Sequence, residues 1–188
     1  MLTLIIFSIG AILSLSLGIA FNIDTMKIWQ ISVIFICALA IILIINALVA
    51  TICCKWLPNK IFDNDKFFTP SKKECRFYEK LKIKVWKDRI LDLGKLNKFK
   101  KNKMEIPKDP EYIKKFILEC KKGFLDHFLS IFASILILFA VPKTFIVPMA
   151  LPMFITSLAL NIMPILILRY NIPRLNSILK FLERKRDK

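Results

Sequence analysis

The sequence predicts an all-α integral membrane protein with about four transmembrane helices arranged as two hairpins. The 188-residue chain is 56% hydrophobic and yet carries a net charge of +16. A soluble domain of this size is usually less apolar and far less charged. The two properties coexist here because they are segregated: residues 1–20, 28–54, 130–142 and 144–168 hold no charged side chain.

The lengths of the apolar stretches fit helices that cross a bilayer, which need about 20 apolar residues. Residues 1–20 and 31–54 meet this requirement directly. Residues 124–141 are slightly short and span only if His127 lies near the interface. Residues 145–168 are long enough, and their prolines are tolerated where neighbouring groups satisfy the freed carbonyls.

The first apolar stretch has an alternative interpretation as a cleaved signal peptide. Gly18, Ile19 and Ala20 offer the small residues that a signal peptidase requires. A cleaved signal normally begins with a basic residue, and no Lys or Arg precedes this stretch. A retained transmembrane helix is therefore favoured.

Basic residues predict the orientation. The segment 55–122 and the tail 169–188 are rich in Lys and Arg, whereas each short connection holds a single lysine, Lys27 or Lys143. Basic segments stay in the cytoplasm, which predicts a multi-pass protein of the cell membrane with both termini cytoplasmic. The charge also favours contact with anionic lipid of the bilayer. No nucleic-acid motif is present, so nucleic acid is not an expected partner.

The chain divides into four expected parts: a transmembrane hairpin (1–54), a basic cytoplasmic or interfacial segment (55–123), a second hairpin (124–168) and a basic amphipathic tail (169–188). Within the second part, residues 71–86 are predicted to form a helix capped by Ser71, because Phe77, Leu81 and Val85 recur at a four-residue step. Residues 92–110 are predicted to be a loop.

A helix is expected to begin at Glu111 and to continue into the third span, because Asp109-Pro110 is a helix start signal. The tail 173–185 is predicted to form a separate amphipathic helix that lies in the interface, with Pro173 in its first turn. Leu175, Ile178, Leu179 and Leu182 would form its apolar face.

The single histidine, His127, is the strongest candidate for catalysis. Cys120, Gly123, His127, Ser130 and Ser134 follow a 3-4-3-4 spacing, so they share one helix face. A face of small and polar residues in a membrane helix points toward protein. His127 could act as a general base that takes a proton from a hydroxyl attacking a thioester. The alternative is a histidine that only packs or forms a hydrogen bond.

Two carboxylates form a stripe beside this face. Glu119 and Asp126 are seven residues apart and could orient the imidazole ring or hold its charge. The cysteine pair Cys53-Cys54 lacks metal-site spacing, and a single histidine makes a zinc site improbable. No metal and no bound cofactor are therefore expected.

A second polar cluster lies at the end of the fourth span. Asn161 lies within the span, and Arg169, Asn171 and Arg174 follow it. Two arginines at a cytoplasmic interface can bind a phosphate through paired hydrogen bonds. The phosphate could belong to coenzyme A, to the prosthetic group of an acyl carrier or to a lipid. Anchoring of the helix end is the alternative role.

The chain also resembles a known family. The resemblance lies in Trp56-Leu57-Pro58, Phe77-Tyr78, residues 84–92, Glu119-Cys120-Lys121-Lys122, His127-Phe128 and, most specifically, the closing run 169–175. In this order and spacing, these residues are similar to those of the glycosyl-4,4'-diaponeurosporenoate acyltransferase family.

The resemblance implies an enzyme that esterifies a fatty acyl group onto the sugar of a glycosylated C30 carotenoid acid or a similar membrane glycolipid, on the route to staphyloxanthin. It implies acyl-CoA or an acyl-carrier protein as the acyl donor. The matching positions are Trp86, Lys87, Asp92, Glu119, Lys122, His127, Arg169, Asn171, Pro173 and Arg174. Phe124 stands where the family often has an acidic residue, and Asp126 is a carboxylate that could replace it.

Two hypotheses of different kinds follow. In the first, the chain is a membrane O-acyltransferase that uses His127, with Asp126 and Glu119 in support. In the second, it is a non-catalytic protein that binds anionic lipid or a partner enzyme through its basic segment. The second hypothesis explains the charge without using the histidine.

Overall fold

The computed structural model describes residues 2–63, 65–90 and 109–186, and these parts of the chain are helical. Helix α1 is Leu2–Asn22 and helix α2 is Ile28–Thr51, which a π-helical turn, Ile52–Trp56, prolongs. Asn22 ends α1 and donates its amide to the carbonyl oxygen of Gly18 at 3.0 Å.

The central segment consists of short helical pieces rather than one long helix. In chain order they are a 3₁₀ turn Asn59–Asp63, α3 Asp65–Phe68, α4 Lys72–Lys80, α5 Ile83–Trp86 and a 3₁₀ turn Lys87–Arg89. The predicted loop at 92–110 lies outside the described residues, except for its last two positions.

The predicted helix over 71–86 is capped as expected but is not continuous. The Ser71 hydroxyl accepts from the Glu74 N–H, and the Glu74 carboxylate accepts from the Ser71 N–H at 2.8 Å. This reciprocal cap fixes the start of α4. Lys82 then adopts a left-handed conformation with φ of 50°, which separates α4 from α5. The apolar spacing alone could not show this break.

The second half of the chain contains the two longest packed helices. Helix α6 is Pro110–Ala133, with Asp109 as its cap, and a 3₁₀ turn, Ser134–Leu138, follows it. After the short α7, Lys143–Phe145, and a π-helical turn, Ile146–Ala150, helix α8 runs from Leu151 to Arg186. The helix predicted to begin at Glu111 is therefore confirmed within one residue.

Three helical stretches in the described parts of the chain are long and apolar enough to cross a membrane: Leu2–Asn22, Ile28–Trp56 and Lys143–Arg186. The protein is therefore an all-helical membrane protein. The predicted third span, residues 124–141, is not one regular helix, because its α-helical part ends at Ala133. The number of four crossings stays a prediction.

The prediction of a separate tail helix is wrong. Helix α8 continues through Pro173 to Arg186 without interruption, so the tail is a direct extension of the last span. At about 1.5 Å per residue this helix is about 54 Å long, which exceeds the roughly 30 Å core of a bilayer. Pro173 lies inside the helix rather than at its start.

The apolar face of the tail packs against protein. Leu175 is buried with Ile113, Phe116 and Ile117 of α6, and the other apolar residues of the tail pack around this cluster. Lys114 forms an ion pair with Glu183 at 3.4 Å on the same side. This packing on α6 replaces the interface-lying arrangement that the pattern predicted.

A buried lysine holds the central segment on α6. The ammonium group of Lys121 donates to the carbonyl oxygen of Phe62 at 2.7 Å and lies over the ring of Phe68. Only 7% of Lys121 is exposed, so these contacts compensate for the burial of its charge. The aromatic residues of the central segment are thereby brought beside the site described next.

Candidate active site

Helices α1, α2, α6 and α8 surround a cavity of about 560 Å³. Cavities of this size are typical of small-molecule and lipid sites. Of the residues predicted to form a site, those that line the cavity are Lys87, Glu119, Asp126, His127 and Asn161. These five predicted residues therefore meet in one place, although they come from three separate parts of the chain.

The cavity is polar toward the central segment and mostly apolar away from it. The side near the central segment is lined by Lys87, Glu119 and Cys54. The side away from it is lined by Phe7, Phe35 and Met153. Along α8 the lining runs from Leu168 to Met153, which is about 22 Å of helix. An elongated cavity with this polarity fits a molecule that has a polar end and a long hydrocarbon part.

His127 and Asn161 form the central contact of the site. The ring Nδ1 of His127 lies 2.9 Å from Oδ1 of Asn161. Asn161 is only 7% exposed, so water does not compete strongly for this bond. The predicted polar face of α6 therefore points toward α8, as expected for a membrane helix.

The bonds of Asn161 determine which ring nitrogen of His127 carries the proton. The amide nitrogen of Asn161 donates to the backbone carbonyl of Ser157 at 2.9 Å, and a carbonyl oxygen can only accept. The amide oxygen must therefore face His127. Because this oxygen also only accepts, Nδ1 of His127 donates to it. In the neutral ring, Nε2 is then the basic nitrogen.

Three serines, Ser130, Ser134 and Ser157, support the contact between His127 and Asn161. The hydroxyl groups of Ser134 and Ser157 lie 2.7 Å apart, and Ser134 also donates to the carbonyl of Ser130. All three serines are buried. This network satisfies the polar groups between α6 and α8 and holds Asn161 in place, which is what a positioned base requires.

The carboxylates predicted to assist His127 both line the cavity. Glu119 pairs with Lys122 at 3.5 Å on the same face of α6. Asp126 lies within electrostatic range of Cys53. Among the described residues no group of three or more His, Cys, Asp or Glu side chains could hold a metal ion.

The two predicted arginines are engaged by the protein itself. Arg169 donates to the carbonyl of Phe67 at 3.0 Å and pairs with Glu74 at 2.9 Å. Arg174 stacks on the ring of Tyr170, with its guanidinium carbon 3.5 Å from the ring centre. The contacts of Arg169 fasten the central segment to α8, whereas the stacking of Arg174 on Tyr170 lies within α8. Phosphate binding by the two arginines stays a prediction.

Phe124, where the family resemblance led us to expect an acidic residue, packs in the core of the protein. The guanidinium of Arg169 lies 5.1 Å from the centre of its ring. Phe124 is 3% exposed and belongs to the main core cluster. Phe124 therefore makes a cation–π contact with Arg169.

The remaining predicted residues lie away from the cavity or cannot be placed. Trp86 lines a separate shallow groove with Leu2 and Met163, and its indole N–H donates to the carbonyl of Leu81 at 3.0 Å. Asn171 is half-buried on α8 outside the cavity lining. Asp92 lies outside the described residues.

The sequence analysis did not predict several polar residues of the cavity lining, of which Ser157 and Asn46 are the most informative. Ser157 positions Asn161, and its four-residue spacing from Asn161 on α8 was the available signal. Asn46 on α2 lines the cavity from the opposite side. Its amide nitrogen donates to the carbonyl of Ile42 at 2.9 Å, whereas its amide oxygen is buried and has no hydrogen-bond partner in the described structure.

The fold and the site define a class: a helical membrane protein with a positioned imidazole in a cavity that suits an amphipathic substrate. The family model for glycosyl-4,4'-diaponeurosporenoate acyltransferase matches residues 58–181. The chain therefore belongs to this acyltransferase family and is an enzyme of the acyltransferase type. No curated protein and no solved structure matches the chain.

Proposed function

We propose that the enzyme transfers a fatty acyl group from a thioester donor, acyl-CoA or an acyl-carrier protein, to a sugar hydroxyl of a membrane glycolipid. The family points to a glycosylated C30 carotenoid acid as the acceptor. The observation that carries the proposal is the partly buried His127–Asn161 pair in the wall of a long amphipathic cavity.

In the proposed reaction, Nε2 of His127 accepts the proton of the sugar hydroxyl while the hydroxyl oxygen attacks the thioester carbonyl carbon. The tetrahedral intermediate then collapses, the carbon–sulfur bond breaks, and an ester forms. The departing thiolate takes the proton back from the imidazolium ring. Asn161 stabilises this imidazolium through its amide oxygen and keeps the ring in one orientation.

We also propose that residues 124–141 form a fourth crossing, which places both termini in the cytoplasm. The basic central segment and the basic tail support this orientation, and a thioester donor would reach Lys87 and Glu119 from the cytosol. Reporter fusions at each terminus test it. Signals from opposite sides of the membrane would contradict the four-span topology.

Replacement of the histidine tests the reaction. We expect His127→Ala to lower kcat for acyl transfer by about 10² to 10⁴, the usual contribution of a general base. Added imidazole should restore part of the rate, because it replaces the missing base rather than a packing contact. The matched control is Leu129→Ala, since Leu129 lies on the same helix and is exposed.

The assay would use purified protein in nanodiscs with an acyl thioester and a lipid-linked sugar, with the ester product measured by mass spectrometry. Full activity of a folded His127→Ala variant would refute the role of His127 as the base.

A further inference from the structure

We propose that Asn46 on α2 is the residue that recognises the acceptor sugar, and that the lipid-linked sugar reaches it through an opening beside α2. The inference rests on the proposed function and assigns a substrate group to a residue outside the matched segment 58–181. It starts from the one amide oxygen of the cavity wall that has no partner in the described structure.

An unpartnered acceptor at this place requires an explanation. A buried polar atom without a hydrogen bond lowers stability, and the hydrocarbon interior of a bilayer offers no water to satisfy it. The amide nitrogen of Asn46 is already bound to its own helix. The oxygen has almost no accessible surface, but Asn46 lines the cavity, so a rotation of its side chain would present the oxygen to a ligand that can donate a hydrogen bond.

A sugar hydroxyl meets this requirement. It donates to the oxygen of Asn46, and it can also accept, so it would pair with either orientation of the amide. Acyl chains and polyene chains carry no donor. The pantetheine arm of an acyl donor also carries a hydroxyl and amide N–H groups, so the binding experiment below measures the acceptor and the donor separately.

The depth of Asn46 fits a sugar whose reacting hydroxyl lies at His127. Helices α2 and α6 run antiparallel, because Ile42 packs in one cluster with Ile137 while Cys53 lies near Asp126. Asn46 is one turn from Ile42 toward Cys53, so it lies in the part of α2 between the shared cluster and the end that faces Asp126. Because Asn46 and His127 line the same cavity, one hexose can present one hydroxyl to each of them.

The surroundings of Asn46 supply a route for the lipid part. Leu43 and Ala47 flank it on α2, both line the cavity, and both are exposed, Leu43 by 54%. The cavity wall beside Asn46 is therefore formed by residues that also lie on the exposed surface of α2, and we place the opening there. A glycolipid could insert its sugar between α2 and the α6–α8 wall while its hydrocarbon part stays in the membrane.

The experiment compares acceptors that differ by one hydroxyl. Dodecyl glucoside and its monodeoxy analogues would be tested with the wild type and with Asn46→Leu and Asn46→Asp in nanodiscs. For the wild type, we expect one deoxy analogue to bind about tenfold more weakly than the parent glucoside, the effect of one lost hydrogen bond.

The variants should separate recognition from folding. Asn46→Leu should weaken binding of the parent glucoside about tenfold and should lose the discrimination against that analogue, with the Kd of the acyl donor unchanged. Asn46→Asp keeps an acceptor oxygen and should keep most of the discrimination. The matched control is Asn22→Leu, because Asn22 bonds its own helix in the same way but does not line the cavity.

Two readouts keep this inference separate from the proposed function. If the wild type transfers no acyl group, the proposed function fails, but glucoside binding still decides the role of Asn46. If Asn46→Leu binds the glucoside and its analogues as the wild type does, the inference is overturned, whether or not acyl transfer occurs.

Discussion

Replacing Asn161 with leucine is the sharpest test of how the histidine is controlled. Leucine has a similar volume but accepts no hydrogen bond, so Nδ1 of His127 loses its partner at 2.9 Å. Because Asn161 is 7% exposed, the bond lies in the upper part of the usual range of about 0.5–1.5 kcal/mol. A loss of about 1.4 kcal/mol corresponds to a factor of ten in rate. We therefore expect kcat to fall about tenfold.

The assay is steady-state acyl transfer in nanodiscs with both substrates varied. KM should change little, because Asn161 acts through the ring and not on the substrate. Asn161→Asp retains an acceptor oxygen and should keep most of kcat. Asn176→Leu, an amide replacement on the same helix outside the cavity lining, should have no effect on kcat.

Two results would refute this reasoning. Asn161→Leu could fold and retain the wild-type kcat, which would show that the ring needs no orientation. Alternatively, Asn161→Asp could lose as much activity as Asn161→Leu, which would show that the acceptor oxygen is not what matters. Melting temperatures of both variants separate these effects from unfolding, since the leucine side chain would also leave buried polar groups without their partner.

Further predictions concern stability. Arg169→Ala should lower the free energy of unfolding by about 2–3 kcal/mol in denaturant titrations, because charged hydrogen bonds to Phe67 and Glu74 are lost. If stability is unchanged and a phosphate-bearing acyl donor binds more weakly, Arg169 binds the substrate instead. Burial alone would raise the pKa of Glu74, but the Ser71 N–H and Arg169 outweigh it and lower the pKa from its ordinary 4.5. The stability that Glu74 contributes should therefore be present above about pH 4.5 and lost below it, and the melting temperatures of wild type and Glu74→Gln should converge in acid; a constant difference would contradict this. Gly10→Ala should lower the free energy of unfolding by about 1–3 kcal/mol, because a Cβ there overlaps Thr156. Adding Thr156→Ala should recover part of this stability. Additive effects of the two substitutions in the double mutant would argue against the overlap.

Much of the fold could be predicted from the sequence because it depends on local signals. The charge-free stretches predicted the apolar helices, and Ser71 and Asp109 marked the starts of α4 and α6. The continuity of α8 was missed because Pro173 was interpreted as a helix start. A proline inside a helix removes one backbone hydrogen bond, and the packing of the tail on α6 offsets this loss.

The site was predicted in its residues but not in its connections. The 3-4-3-4 spacing identified the face of His127 correctly, since that face depends on helix geometry alone. The sequence analysis predicted that Asn161 binds the substrate, whereas in the structure it forms a hydrogen bond with His127. Their contact joins residues 34 positions apart, and no local pattern reports how α6 and α8 are aligned. Asn46 was overlooked because a single amide in an apolar helix gives no periodic signal.

The walls of the cavity come from two separable stretches of the chain. The family segment, residues 58–181, contributes the imidazole and its amide partner, whereas α1 and α2 contribute the opposite wall. Under the proposed function, the base would come from the family segment, and part of the surface that contacts the substrate would come from the first hairpin. Sequence changes in the first hairpin could then alter which hydrophobic substrates bind, while His127 and Asn161 remain unchanged. A chimera that exchanges this hairpin between relatives should transplant substrate preference and leave the chemistry in place.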